Sequence, residues 1–349
     1  MYDVRQGDCR VVMESLDAGA IQCAVFSPPY YNLRVYDGLP PSTWPDGWVG
    51  CLGNESTPAQ YVEHMVDVFR SVHRVLRDDG VVWLNLGDSY NNRAASRKSS
   101  HQTGLGFDSP DLRKTWKDLK SEGRTRMSVY VDGLKEKDLL LIPHSVAIAL
   151  RTDGWYVRMD VVWAKPNCVP ESCRDRPTKA HEYVLLLTKS AKYFYDMEAI
   201  KEPAAWLRWG KQTDRKGHVS IRGDTRVKPV DMASLPDRKK NGKNRRSVWN
   251  IPTRGIPGAH FATMPEELAE VCVLAGSRPG DVVLDPFCGS GTTGVVAKRL
   301  GRNFIGIEGS PAYVNMARER MGIGVDELLA DLLLEGLLDD LLEDSRGKQ

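Results

Sequence analysis

The chain has 349 residues, 41% hydrophobic and 27% charged, the balance of a folded globular protein with room for one large domain or two modest ones. That excludes disorder as the main state; no run reaches the roughly 18 to 20 apolar residues of a membrane span, and Met1-Tyr2-Asp3-Val4-Arg5 is no secretory leader, so the cytoplasm is the expected location. Seven scattered cysteines without a Cys-x-x-Cys pair predict reduced thiols and no metal site, while the net charge of +2 averages over strongly segregated basic and acidic stretches.

Along the chain, Ala20 to Phe26 is a short apolar strand that ends in Ser27-Pro28-Pro29-Tyr30, where two prolines forbid further ladder pairing. Val62, Met65, Val66, Phe69, Val72 and Leu76 recur at spacings of three and four, predicting a helix from Tyr61 to Leu76 closed by Asp78-Asp79-Gly80. Val81 to Leu86 follows as a buried strand. Arg93 to Arg126 is basic, polar and without period, and reads as a long insertion. Then come a helix over Pro143 to Leu150 and strands over Tyr156 to Trp163 and Tyr183 to Thr188.

Between Arg208 and Arg246 stand 13 basic residues against 4 aspartates, a local charge of +9. Beyond it a helix over Pro265 to Leu274, a strand over Val282 to Asp285, a helix over Thr292 to Leu300, a strand over Phe304 to Glu308 and a helix over Pro311 to Met321 alternate. From Asp326 to Asp344 acids interleave with leucines at helical spacing, predicting an acidic amphipathic helix. Strands alternating with helices of about ten residues argue for an α/β fold: a doubly wound, mostly parallel sheet covered on both faces and interrupted by polar insertions.

Asp285-Pro286-Phe287-Cys288-Gly289-Ser290-Gly291-Thr292-Thr293-Gly294 joins a strand to a helix through a glycine turn, which suits a nucleotide-like ligand. A phosphate loop is disfavoured, because Val295 stands where its lysine belongs. Gly289, Gly291 and Gly294 fit the dinucleotide spacing, and Glu308 ends the next strand where a ribose-binding acid belongs, so a nicotinamide-dependent oxidoreductase remains a rival reading. Asp285 precedes the glycines. A carboxylate there would repel a pyrophosphate but could meet the ammonium of S-adenosylmethionine.

With Ser27-Pro28-Pro29-Tyr30 set beside that turn, the sequence resembles the amino-group DNA methyltransferases, which methylate cytosine N4 or adenine N6. The target motif precedes the cofactor motif, similar to the permuted β group of that family, and Gly7-Asp8-Cys9, His260 to Pro265 and Gly306-Ile307-Glu308 extend the resemblance over most of residues 1–322. It implies a circularly permuted, Rossmann-like methyltransferase fold with S-adenosylmethionine as cofactor. It further implies that Ser27, Pro28, Pro29 and Tyr30 hold the target base, that Glu308 holds the ribose hydroxyls, and that Asp8 and Cys9 meet the adenine edge. Phe287, Gly289, Ser290 and Thr292 would form the backbone turn around the methionine moiety, with Asp285, Pro286, Gly291 and Thr263 as further cofactor contacts.

In the resembled family a leading Ser usually accompanies cytosine N4 and a leading Asp or Asn adenine N6, so Ser27 favours cytosine and leaves adenine as the alternative. Methylation at cytosine carbon 5 would need a cysteine nucleophile, typically after proline, and no Pro-Cys pair occurs. The implied division is a catalytic half over 1–90, a basic insertion over 91–137, the rest of the catalytic sheet over 138–200, a basic target-recognition region over 201–250, a cofactor half over 251–322 and the acidic helix over 323–349. Double-stranded DNA is the expected partner, with Arg208, Lys211, Arg215, Lys216, Arg238, Lys239, Lys240, Arg245 and Arg246 as candidate contacts. The resemblance leaves room for a cognate restriction endonuclease and for a monomer or homodimer.

Overall fold

A computed structural model describes residues 1–33, 39–91, 131, 133–202, 242–254 and 264–324. The Arg93 to Arg126 insertion, most of the +9 segment and the acidic C-terminal helix lie outside the described residues.

Among the described residues, β1 (Tyr2–Gln6), β2 (Ile21–Phe26), β5 (Leu76–Leu86), β6 (Tyr156–Ala164), β7 (His181–Thr188), β8 (Val248–Asn250), β9 (Val282–Asp285) and β10 (Asn303–Glu308) form one sheet in the order β1-β10-β9-β2-β5-β7-β6-β8. Two short strands, β3 (Ser42–Thr43) and β4 (Val49–Gly50), form a separate ribbon. Every neighbouring pair in the large sheet is parallel except those of β7, which is antiparallel to β5 and to β6.

Burial on both faces explains the apolar runs. Ala24 and Phe26 of β2 and Val82, Leu84 and Leu86 of β5 face one layer, with α1 (Cys9–Glu14), α2 (Pro58–Val75) and α3 (Ile142–Thr152). Cys23, Val25, Val81 and Trp83 face the other, with α4 (Glu266–Gly276), α5 (Thr292–Arg299) and α6 (Pro311–Met321). Two-residue alternation thus divides one apolar strand between two cores. Helix α2 begins where Thr57 accepts a hydrogen bond from the Gln60 amide at 3.2 Å and Pro58 occupies the first turn.

The doubly wound, mostly parallel architecture is as expected, and the helix from Pro311 to Met321 and the strand from Val282 to Asp285 have the expected bounds. The other elements expected within the described residues are present with bounds shifted by one to three residues, and one boundary differs in kind. Asp78-Asp79-Gly80 does not separate α2 from a strand at Val81, because pairing resumes at Leu76: Leu76 stands opposite Ile21 and Val81 opposite Cys23. Four intervening residues on β5, Arg77 to Gly80, against one on β2, Gln22, leave the acidic turn as a bulge inside the ladder. The sequence reading also lacked β1, α1, β3, β4 and β8, all short.

Candidate active site

Parallel strands deliver their following turns to one edge. Ala24 of β2 stands opposite Leu284 of β9, and Gln6 of β1 opposite Glu308 of β10. Asp285, Ser27, Asp8 and Glu308 therefore gather at the carboxyl edge of four adjacent strands. A cavity of about 1040 Å³ opens there, and it is lined by Ser27 to Tyr30, Asp285 to Ser290, Thr292, Asp8, Cys9 and Glu308. Thirteen of the fifteen residues expected to hold base or cofactor line this one space; Gly291 does not line it, and Thr263 lies outside the described residues.

Asp285 ends β9 almost fully buried and accepts the Phe287 amide at 3.0 Å. Burial, with Glu308 adding to it, pushes its carboxyl up to about 7. Glu308 is likewise raised by burial, although its two oxygens accept the Gly289 amide at 2.9 Å and the Ser310 amide at 2.8 Å. Among the described residues neither carboxyl has a cationic partner. A buried acid with no cation fits a ligand that brings an ammonium and disfavours one that brings a pyrophosphate.

At the far end Asp8 caps α1. It accepts the Arg10 amide at 2.8 Å and pairs with the Arg10 guanidinium at 2.7 Å, which in turn lies 3.8 Å from the centre of the Trp44 ring. Burial works to raise the Asp8 carboxyl, and the bonds from Arg10 and Ser42 outweigh it and hold it low. Asp8 is thus committed to its own helix and to the β3–β4 ribbon, whose Trp44 also lines the cavity. Cys9 is buried, and burial keeps its thiol protonated.

Around Ser27 the sequence reading missed three side chains. The Tyr30 phenol donates to Glu182 Oε2 at 2.7 Å, lies 3.2 Å from Asn85 Oδ1 and accepts from the Ser27 hydroxyl at 3.2 Å. Asn85 Nδ2 bonds Glu182 Oε2 at 3.2 Å, and Lys165 Nζ pairs with Glu182 Oε1. Burial, then the Glu182 charge, raises the Tyr30 phenol well above its ordinary range. The ring also packs on Gly87, where an added Cβ would come within 2.6 Å of Tyr30 Cε2. No motif flagged Glu182; its one signal is an acid at the mouth of an apolar strand.

A family model described as DNA methylase, of the N6/N4 type, matches residues 21–319. The chain belongs to that family. The type II methyltransferase M.SmaI of Serratia marcescens is 42% identical over 90% of this chain and 89% of its own, and M.Cfr9I of Citrobacter freundii 40% identical over 90% and 86%. Among solved structures, the PvuII DNA methyltransferase (cytosine-N4-specific) superposes with a TM-score of 0.56 at 19% identity over 91% of this chain and 85% of that one. A Thermus thermophilus protein solved with S-adenosyl-L-methionine gives 0.53 at 21% identity over 92% and 93%.

Membership in the N6/N4 DNA methylases, which are S-adenosylmethionine-dependent, removes the nicotinamide reading of the glycine spacing. Of the candidate DNA contacts of this methylase, Arg245 and Arg246 are described and the other seven lie outside the described residues. Arg246 is bonded to Glu202 at 2.9 Å, and Arg245 lies 5.2 Å from the centre of the Trp249 ring.

Proposed function

We propose that this methylase transfers a methyl group to the exocyclic N4 of a cytosine flipped out of double-stranded DNA. The observation that carries the reading is the shared cavity: Ser27 and Tyr30 on one side, and on the other the buried Asp285, which has no cationic partner among the described residues. S-adenosylmethionine, when bound, supplies an electrophilic methyl on a sulfonium.

The chain's own residues supply positions. Asp285 meets the amino-acid ammonium, Glu308 the ribose hydroxyls, and the turn from Phe287 to Thr292 the methionine moiety. Ser27 and the Pro28 carbonyl accept the hydrogens of the target amine, a poor nucleophile because its lone pair is delocalised into the ring, and so favour a pyramidal nitrogen aligned for direct transfer. A base within the duplex is out of reach, and stacking on Tyr30 offsets part of an unstacking cost of a few kcal/mol.

We read the chain order, with β9 and β10 last in sequence but between β1 and β2 in the sheet, as the permuted arrangement of the β group. The basic segment from Arg208 to Arg246 tracks the phosphates, and a cognate restriction endonuclease is the partner that a type II modification enzyme implies. Adenine N6 is the second reading, by the same chemistry. Digesting enzyme-treated DNA to nucleosides and identifying the methylated one by mass spectrometry tests the choice: N4-methylcytosine is expected, and N6-methyladenine overturns it.

A further inference from the structure

The reversed strand β7 brings its amino-terminal end to the edge where the parallel strands end. Glu182, its second residue, is thereby set beside Asn85 and Tyr30, and Lys165 arrives there from the end of β6. Paired with Lys165, Glu182 is a carboxylate and can only accept hydrogen bonds. Its bond to the phenol at 2.7 Å therefore assigns the Tyr30 proton to Glu182. Asn85 Oδ1, the rival acceptor, is farther away at 3.2 Å; a phenol whose proton is committed to Glu182 offers only lone pairs to its other neighbours, so the Ser27 hydroxyl, 3.2 Å away, donates to Tyr30. Having donated its proton, the Ser27 oxygen keeps two lone pairs with which to accept.

We propose that Glu182 is a positioning residue for methyl transfer. It fixes the direction of the chain Ser27 to Tyr30 to Glu182, so that the serine meets the target amine as an acceptor rather than as a competing donor. No proton moves along this chain; its polarity is what is conveyed. Lys165, held 4.3 Å from the centre of the Trp163 ring, fixes the far end. The inference rests on the reading that Ser27 accepts the amine hydrogens.

The test is a double-mutant cycle on Glu182→Ala and Tyr30→Phe, the second keeping the ring and losing only the hydroxyl. Single-turnover methylation of DNA and calorimetric S-adenosylmethionine binding are measured for each, with thermal unfolding as the folding control. Each single variant should lower the methyl-transfer rate roughly ten- to a hundredfold, as loss of a bond to a charged group does, with cofactor affinity within about twofold. The double variant should be no slower than the worse single one, because both break the same chain. Additive losses would overturn the proposal, as would full activity in Tyr30→Phe. Ser27→Ala separates the two levels: if it is fully active, the acceptor reading itself falls, whereas if it is impaired and the other two are not, only the role of Glu182 falls.

Discussion

The hydroxyl of Thr293 donates to the carbonyl of Val25 at 3.3 Å, joining residues 268 positions apart in the chain. Thr293 lies in the first turn of α5, directly after the glycine turn, and Val25 stands two residues before Ser27, so this buried bond ties the cofactor-side turn to the target-side turn. The rings of Phe26 and Phe287, with centroids 6.0 Å apart, reinforce the same junction. Thr293→Val preserves shape and removes this bond together with the hydrogen bond that the same side chain makes to the Asp285 carboxyl. We expect about 1 kcal/mol lost in stability, and a fall in both the methyl-transfer rate and cofactor affinity, measured by thermal unfolding, single-turnover kinetics and calorimetry. An unchanged rate would show that the junction does not set the alignment of the two turns.

Asp285 predicts a pH dependence of definite sign. With its carboxyl raised to about 7 in the fold and near 4 in an unfolded chain, the folded state holds a proton that the unfolded state has lost. That contribution to stability is fully present below about pH 4 and is lost as pH rises through about 7. The unliganded protein should therefore melt progressively lower across that window, and Asp285→Asn should flatten the slope. Glu308, raised in the same direction by burial, leaves a residual slope in the variant. Cofactor binding runs the other way: if the ammonium is held by ionised Asp285, affinity should rise with pH by up to about tenfold per unit until near 7. Calorimetric titrations between pH 5 and 8 check both, and a pH-independent affinity would remove Asp285 from the ammonium site.

The two ends of the cavity should separate in kinetics. Pro29 belongs to the target turn, its carbonyl accepting from the Tyr61 phenol at 2.9 Å, and it contributes a fixed φ rather than a ligand. Pro29→Ala should lower methyl transfer at least tenfold while leaving cofactor affinity within about threefold. Glu308→Ala should weaken the cofactor first, by roughly the tenfold or more that the loss of a charged hydrogen-bond acceptor costs. Equilibrium binding and saturation kinetics on both variants give the comparison, and equal loss of cofactor affinity in the two would defeat the division of labour.

How much of this was legible follows from what each signal contains. Ser27 to Tyr30 and Asp285 to Gly294 are contiguous, chemically distinctive, and set at strand ends that two-sided burial makes conspicuous. Strand β1 was not legible, because only Val4 of its five residues is buried and Tyr-Asp-Val-Arg-Gln carries no apolar run. The direction of β7 was not legible either, since an apolar run has the same pattern read up or down the sheet. Glu182 was hidden for that reason: placing it at the active edge requires knowing that its strand is reversed. The bulge at Asp78 to Gly80 escaped because residues that close a helix also suit a break in a ladder.

Gly289 and Gly291 share one turn and a positive φ, of 52° and 80°, yet a side chain at each should fail differently. An added Cβ at Gly291 would lie 2.9 Å from the Ala317 Cβ and 3.1 Å from its Cα, so Gly291→Ala forces α6 away from the turn as well as straining the backbone. At Gly289 the nearest atom is the Phe287 carbonyl oxygen at 3.9 Å, and the new methyl finds only the cavity. Left-handed backbone costs an alanine about 1 to 2 kcal/mol at either position. Gly291→Ala should therefore lose more stability than Gly289→Ala, by at least about 1 kcal/mol for the overpacking, and Ala317→Gly should restore only the part due to the Cβ contact. Gly289→Ala should stay closer to wild type in melting temperature and lose cofactor affinity out of proportion to its stability, because its methyl occupies space the ligand needs. Thermal unfolding with and without S-adenosylmethionine measures both effects, and the same ratio of stability loss to affinity loss at the two glycines would show that neither makes the close approach proposed for it.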